Sequence, residues 1–327
     1  MSLPSPSSPH LPPPGWVEIL PANEFMAWRQ QLMGQGGERG SLDWLLDVAA
    51  GLPRSRLQAL KLHPRSTVNL TRSCKELETL WKEHLSKSVP LQYLVGRCYW
   101  RNFELEVGPA VLIPRPETEA MIDVGLALMR MVAEEKALAQ VWSEDLLWAD
   151  LGTGSGCLAM GLAQALPKCR GLAVDVSAGA LAQARLNLQR AGFANRVDLI
   201  EGDWFGALQP WWGSLQLVLA NPPYIPSNEV DHLDVIVRDH EPRLALDGGD
   251  DGLACIRSLV QDAPRALAPG GWLLLEHHHD QSAQVLNLLA AHGLVDGQSH
   301  LDLEGHRRFA SARRCPDHEA PIPGEQP

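Results

Sequence analysis

Short apolar runs at 146–151, 172–175, 197–201, 215–220 and 272–276 alternate with segments of helical period at 157–166, 178–191, 253–267 and 281–292. That alternation constrains the fold more than any other feature of the 327 residues. Strands separated by helices must run mostly parallel, with helices covering both faces of one sheet, which predicts an α/β, doubly wound architecture. Strand signals near 299–303 and 308–312 predict an added antiparallel pair at one edge.

The fourth run stops at Asn221-Pro222-Pro223-Tyr224. Neither proline has an N–H and both fix φ, so no strand ladder continues through them. The break puts the Asn221 amide, the carbonyls of Asn221 and Pro222, and the Tyr224 ring at the strand's C-terminal end. Acceptors beside an aromatic plate suit a flat NH2 group with two hydrogens to donate. Asn-Pro-Pro is also ordinary turn chemistry, so the weight of this reading comes from what lies upstream.

Where the first run feeds a helix the chain reads Asp150-Leu151-Gly152-Thr153-Gly154-Ser155-Gly156. Glycines at such a turn let a ligand approach the backbone, and the helix N-terminus offers free N–H groups. A dinucleotide fingerprint started at Gly152 needs a third glycine at the position held by Cys157, so that reading fails. The G-x-G-x-G loop led by an acid instead resembles the first motif of S-adenosylmethionine enzymes. Asp175 ends the second run, where a carboxylate accepts both hydroxyls of a ribose; this feature serves NAD and S-adenosylmethionine alike. Asp203-Trp204 follows the third run, an acid for an adenine amino group and an aromatic for its face, although core packing would equally use the tryptophan.

Hydrophobic residues at 45% and charged residues at 20% describe a folded chain with real cores. A net charge of −11 argues against a broad phosphate-neutralising surface, hence against direct nucleic-acid binding. Six cysteines without a C-x-x-C pair lack the spacing of disulfide frameworks or zinc ribbons, so a reduced, cytoplasmic protein is expected. No apolar run reaches membrane-spanning length, and no membrane association or oligomer is expected.

Residues 1–15 and 316–327 read as disordered tails. Residues 16–95 read as a helical bundle that docks the substrate, with apolar stripes at Leu42, Leu45, Leu46 and Ala49, a C-cap at Gly51, and a capping box at Ser73 and Glu76. Residues 96–114 change period, and the apolar residues flanking Gly108-Pro109 predict a β-hairpin or extended connector. A helix is expected from Thr118 to about Glu135, and 115–315 form the catalytic domain.

The Asn-Pro-Pro-Tyr tetrapeptide resembles the signature of amino-methyltransferases acting on planar nitrogens. The longest match is Gly96-Arg97, Phe103, Val107 and then Val111-Leu112-Ile113-Pro114-Arg115-Pro116-Glu117-Thr118-Glu119. With Glu241-Pro242, Ala245-Leu246 and Gly248-Gly249-Asp250-Asp251-Gly252-Leu253, it resembles the release factor glutamine methyltransferase family (PrmC/HemK) from about residue 90 to 312. The resemblance implies a Rossmann-like methyltransferase fold. It also implies methyl transfer from S-adenosylmethionine to the glutamine amide nitrogen in the Gly-Gly-Gln motif of class I peptide chain release factors, and so a part in translation termination. Carried over by motif, Gly152, Thr153, Gly154, Ser155, Gly156, Asp175, Asp203, Trp204 and Asn221 would bind cofactor. Asn221, Pro222, Pro223 and Tyr224 would hold the glutamine, with catalysis assigned to Asn221, Pro222 and Tyr224, and Arg115 would help close the pocket. A ribosomal-protein glutamine or DNA adenine stands as an alternative substrate.

One departure is local. The family usually has Glu-x-Gly after the fifth strand, and here the chain reads Glu276-His277-His278-His279. Strand neighbours point to opposite faces, so at most two of these histidines would converge, and no metal is expected.

Overall fold

A seven-stranded sheet organises the larger part of the computed structural model, which describes residues 15–135 and 146–316. The expected tails fall almost wholly outside the described residues. The strands are β1 (Leu147–Leu151), β2 (Arg170–Asp175), β3 (Val197–Glu201), β4 (Leu215–Ala220), β5 (Leu267–Glu276), β6 (Leu294–Leu301) and β7 (Arg307–Arg314). Their order is 3-2-1-4-5-7-6. β1 to β5 pair in parallel, β7 runs antiparallel to β5, and β6 closes the edge antiparallel to β7. β1 thus has β2 on one side and β4 on the other. The chain leaves β1 toward β2 and leaves β4 toward β5, so the connections part between β1 and β4 and open a crevice at their C-terminal ends, which is where open α/β sheets bind ligands.

The helices are α1 (Ala120–Glu135), α2 (Cys157–Ala165), α3 (Ala178–Arg190), α4 (Ala254–Ala266) and α5 (Ser282–Ala291). α1, α2 and α3 pack in succession as one layer, and α4 packs against α5 as another. Burial on both faces explains why the inner strands are unbroken apolar runs. Val218, Ala220, Leu273 and Leu275 pack with Ile256, Leu259, Val260 and Ala263 of α4, all fully buried. Each such leucine contributes about 1.5–3 kcal/mol. Gly171 is required by a neighbour: it faces Trp148 across the β1–β2 pair, and a Cβ there would sit 2.1 Å from the buried indole.

β5 begins at Leu267, earlier than the apolar pattern alone predicts, because Pro269-Gly270-Gly271 is carried within the strand at an irregular register with β4. The connector also differs in detail. Arg97–Trp100 pairs with Phe103–Glu106, and the chain reverses at Arg101-Asn102, with Arg101 at φ 51°. Gly108-Pro109 lies beyond the hairpin, since Pro109 has no N–H to give a ladder.

The chain separates into two compact units, Met1–Val95 and Gly96–Pro327. The first has helices at Ala22–Met33, Arg39–Ala50, Arg54–Leu62, Cys74–Lys87 and Leu91–Val95. Phe25, Leu32, Leu42, Leu45, Leu46, Leu77 and Trp81 form its core. Gly51 ends the second helix at φ 66°, and Ser73 and Glu76 exchange the two bonds of a capping box. Helical periodicity misses one feature: Glu18–Pro21 pairs antiparallel with Thr67–Leu70. A four-residue strand carries too little periodicity to register, and only a partner distant in sequence stabilises it.

All six cysteines are free thiols. Among the described residues no helix is long and apolar enough to cross a membrane.

Candidate active site

The glycine turn is held from beneath by Asp150, the fourth residue of β1. Its Oδ2 accepts from Thr153 Oγ1 at 2.7 Å and from the Ala159 N–H at 3.0 Å, so a strand carboxylate caps the first turn of α2. Burial pushes the Asp150 carboxyl up to about 7 against the pull of those two bonds. Gly156 stands at φ 84° where α2 begins, and a Cβ there would lie 3.2 Å from Ala184 of α3. A larger residue would push α3 off the turn.

Asp175, at the end of β2, is half-buried and faces the same turn. Its two oxygens accept from the N–H groups of Gly154 and Ser177, each at 2.9 Å. A carboxylate has about four acceptor sites, so two remain for hydroxyls of a ligand. Ser177 also caps α3 through Ala180 N. Beyond β3, Trp204 adopts φ 40°, an outlier for a bulky side chain. Its ring lies over Gly152, where a Cβ would come within 3.1 Å of the indole. Strain of this kind persists only where the surroundings over-determine the conformation.

Two segments outside the sheet complete the walls. The connector passes along 110–115, and the chain after β4 returns along 242–247. Glu241, buried, joins them: it accepts from the Ile113 N–H at 3.1 Å and pairs with Arg115 at 2.7 Å. Asn187 of α3, also buried, exchanges bonds with the backbone of Glu106 and donates to Ser155 O at 2.8 Å, so it ties the hairpin to the glycine turn.

The end of β4 is braced through one carboxylate. Asn221 Nδ2 donates to Thr118 Oγ1 at 3.2 Å, and Thr118 donates to Glu276 Oε2 at 2.7 Å. Tyr224 donates its hydroxyl to Glu276 Oε1 at 3.4 Å. Burial holds the Tyr224 phenol well above its usual range, and the neighbouring Glu276 adds to this, so the hydroxyl stays a donor. Burial likewise pushes the Glu276 carboxyl up to about 7, although Thr118, Arg308 and Tyr224 each favour its charged form. The backbone after Asn221 is supported from the 246–252 segment. Gln281 Nε2 donates to Tyr224 O at 3.1 Å, and Gly252, at φ 72°, comes so close that a Cβ would meet that oxygen at 2.3 Å.

These parts enclose a cavity of about 340 Å³. Gly152, Thr153, Gly154, Ser155, Asp175, Asp203, Trp204, Asn221, Pro223 and Arg115 line it, joined by Thr118, Leu244 and Asp247. Gly156, Pro222 and Tyr224 do not. Gly156 faces α3, Pro222 is buried, and the Tyr224 hydroxyl is directed at Glu276. Residue patterns alone pass over Thr118, Asn187, Glu241 and Glu276 as functional. Asn187 did carry a signal, being a polar residue on the apolar stripe of Leu181, Ala184 and Leu188.

The histidines past β5 have left the strand, so its alternation does not govern them. The rings of His278 and His279 lie 4.2 Å apart, and His277 is buried with Nδ1 against the His278 carbonyl. Among the described residues no three His, Cys, Asp or Glu side chains converge as a metal requires.

The family profile described as Methyltransferase small domain matches residues 120–249. A release factor glutamine methyltransferase of Prochlorococcus marinus is 48% identical over 293 residues, covering 90% of this chain and 97% of that one. One from Synechocystis is 40% identical over 300 residues, covering 90% and 98%. The chain belongs to the release factor glutamine methyltransferase family.

As a member of that family it is an S-adenosylmethionine-dependent methyltransferase with a Rossmann-like fold. A solved structure, the hMettl16 catalytic domain in complex with MAT2A 3'UTR hairpin 6, has a TM-score of 0.51 at 12% identity, covering 76% of this chain and 84% of that one. That likeness concerns the fold alone. The residues present fit the family's methyl donor. The cavity lies within the roughly 300–1,000 Å³ typical of small-molecule sites. Its wall carries a carboxylate with acceptors to spare, a strained indole and the buried hydroxyl of Ser155.

Proposed function

We propose that this enzyme methylates the side-chain amide nitrogen of the glutamine in the Gly-Gly-Gln motif of class I peptide chain release factors, and so modulates translation termination. The observation that carries this reading is that one cavity wall joins the glycine turn, Asp175 and Trp204 to Asn221 and Pro223 at the broken end of β4. In this reading Gly152, Thr153, Gly154, Ser155, Asp175, Asp203 and Trp204 hold the cofactor, and Gly156 lets α3 pack against the turn. Asp175 takes the ribose hydroxyls, Asp203 the adenine amino group, and Trp204 covers a ring face. Bound there, S-adenosylmethionine supplies an electrophilic methyl on a sulfonium.

An amide nitrogen is a poor nucleophile, because its lone pair is delocalised into the carbonyl. No ordinary side-chain base removes its proton beforehand, so the protein contributes position rather than general-base catalysis. Asn221 Oδ1, on the cavity wall, and the Pro222 carbonyl accept the two N–H bonds of the substrate, while Tyr224, off that wall and bonded to Glu276, braces the segment from behind. Held so, the nitrogen can pyramidalise as it attacks in line. Both acceptors strengthen as positive charge develops on that nitrogen, so they favour the transition state over the ground state. The proton leaves to water after transfer. Arg115, paired with Glu241, keeps the connector against the return segment and closes the mouth.

The helical unit before Val95 serves as the docking domain for the release factor, an assignment supported by its own core. Net charge −11 supports a protein rather than a nucleic-acid substrate. Incubating the enzyme with a purified release factor and labelled methyl donor, then mapping the methyl by mass spectrometry, tests the assignment. Label on the Gly-Gly-Gln glutamine is the expected result; label confined to a ribosomal protein or to DNA overturns it. Cross-links between residues 16–95 and the release factor are expected in the same mixture.

A further inference from the structure

We infer that Thr118 and Glu276 are positioning residues that set which way round the Asn221 amide stands, and so turn its oxygen toward the substrate. The inference rests on the proposed glutamine substrate only for its activity readout.

The number of hydrogens available fixes the orientation. Thr118 Oγ1 carries a single hydrogen, and at 2.7 Å from Glu276 Oε2 that hydrogen belongs to the carboxylate. The threonine oxygen is left with lone pairs only on the side of Asn221. The group facing it at 3.2 Å must then be the NH2 of the amide, because an oxygen there would meet lone pairs with no proton between them. Asn221 lines the cavity, and with Nδ2 engaged, Oδ1 is the amide atom available to a ligand. Rotated by half a turn, the same amide would offer NH2 to a substrate NH2, donor against donor. At pH 8, where the assays are run, Glu276 lies above its raised value of about 7, so it is ionised, accepts only and cannot reverse the direction of the chain. Its other oxygen takes the Tyr224 hydroxyl, so one buried group, 1% exposed, braces both ends of Asn-Pro-Pro-Tyr. Thr118 and Glu276 lie far from Asn221 in sequence, and Glu276 does not line the cavity.

The test uses full-length T118V, T118A and T118S enzymes beside wild type, each also in an N221A background. Loss of the hydroxyl in T118V or T118A should lower kcat about 10- to 100-fold, the scale of a misplacement of about 1 Å. Affinity for the methyl donor, measured by calorimetry, should stay within about twofold, and T118S should recover most of kcat. On the N221A background, T118V should cost less than about twofold more, because the amide it orients is gone. Turnover by T118V within twofold of wild type, or its full loss repeated on N221A, overturns the inference. A second readout needs no substrate. The Asn221 side-chain NH2 signal in the 15N spectrum, assigned with N221A, should be protected from solvent exchange in wild type and T118S and lose that protection in T118V and T118A. Unchanged protection would also overturn it. A wild type that orders this amide but leaves release factor glutamine unmethylated would fail the substrate assignment and not the positioning role.

Discussion

Replacing Glu276 by glutamine should remove a pH dependence that this carboxyl imposes on folding. The group is 1% exposed, and its carboxyl is pushed from 4.5 up to about 7, chiefly by burial. Thr118, Arg308 and Tyr224 pull the other way and lose, while Glu117 adds a little to the rise. Below pH 4.5 the carboxyl is protonated whether the chain is folded or not. Between 4.5 and about 7 the folded protein keeps a proton that the unfolded chain has released, so stability falls as pH rises. The slope is about 1.4 kcal/mol per pH unit and sums to about 3 kcal/mol, with a plateau above pH 7. Glutamine is nearly isosteric and does not titrate. The difference in unfolding free energy, wild type minus E276Q, should therefore drop by about 3 kcal/mol from pH 4.5 to 8. Asp150, raised in the same way, is present in both proteins and cancels. Urea unfolding at half-unit pH steps measures the difference, and carbon-13 NMR of the Glu276 carboxyl places the midpoint directly. A difference that is flat with pH, or a midpoint near 4.5, would refute burial as the dominant cause.

Asp175→Ala should weaken affinity for the methyl donor by well over tenfold, since charged hydrogen bonds contribute about 1.5–3 kcal/mol each; unchanged calorimetric affinity would remove Asp175 from the site. Asn221→Ala should reduce kcat about a hundredfold or more while donor affinity is largely kept, and near-wild-type turnover would end the positioning mechanism. Gly252→Ala places a Cβ 2.3 Å from the Tyr224 carbonyl at φ 72°, so the backbone past Asn221 must move. Turnover should fall at least tenfold, with donor affinity changed much less; equal losses in both would show that the 246–252 segment supports the whole cavity.

Much of the fold was legible because its signals are local. The 197–201 and 215–220 runs are strands with those bounds, and the helices of the sheet lie close to their expected ranges, whereas β5 starts at Leu267 rather than 272 and β6 runs Leu294–Leu301 rather than 299–303. Proline and glycine chemistry marked where β4 breaks and where α2 starts, since those constraints act within a residue or two. What was hidden depends on distant partners. The Glu18–Pro21 and Thr67–Leu70 pair has no signal until the two segments meet. The hairpin turned at Arg101-Asn102 because pairing of Trp100 with Phe103 outweighed the turn chemistry of Gly108-Pro109.

The site divides along the same line. Residue types and spacing alone determined that a glycine turn, an acid after β2 and a broken strand after Asn221 would stand at the same end of a parallel sheet, because connections in such a sheet leave every C-terminal end on one side. Only the tertiary structure decided that Thr118, from the turn that leads into α1, and Glu276, from β5, meet behind Asn221, and that Glu241 joins the two outer walls. Hydrogen-bond direction belongs to the whole network, and no single residue's identity encodes it.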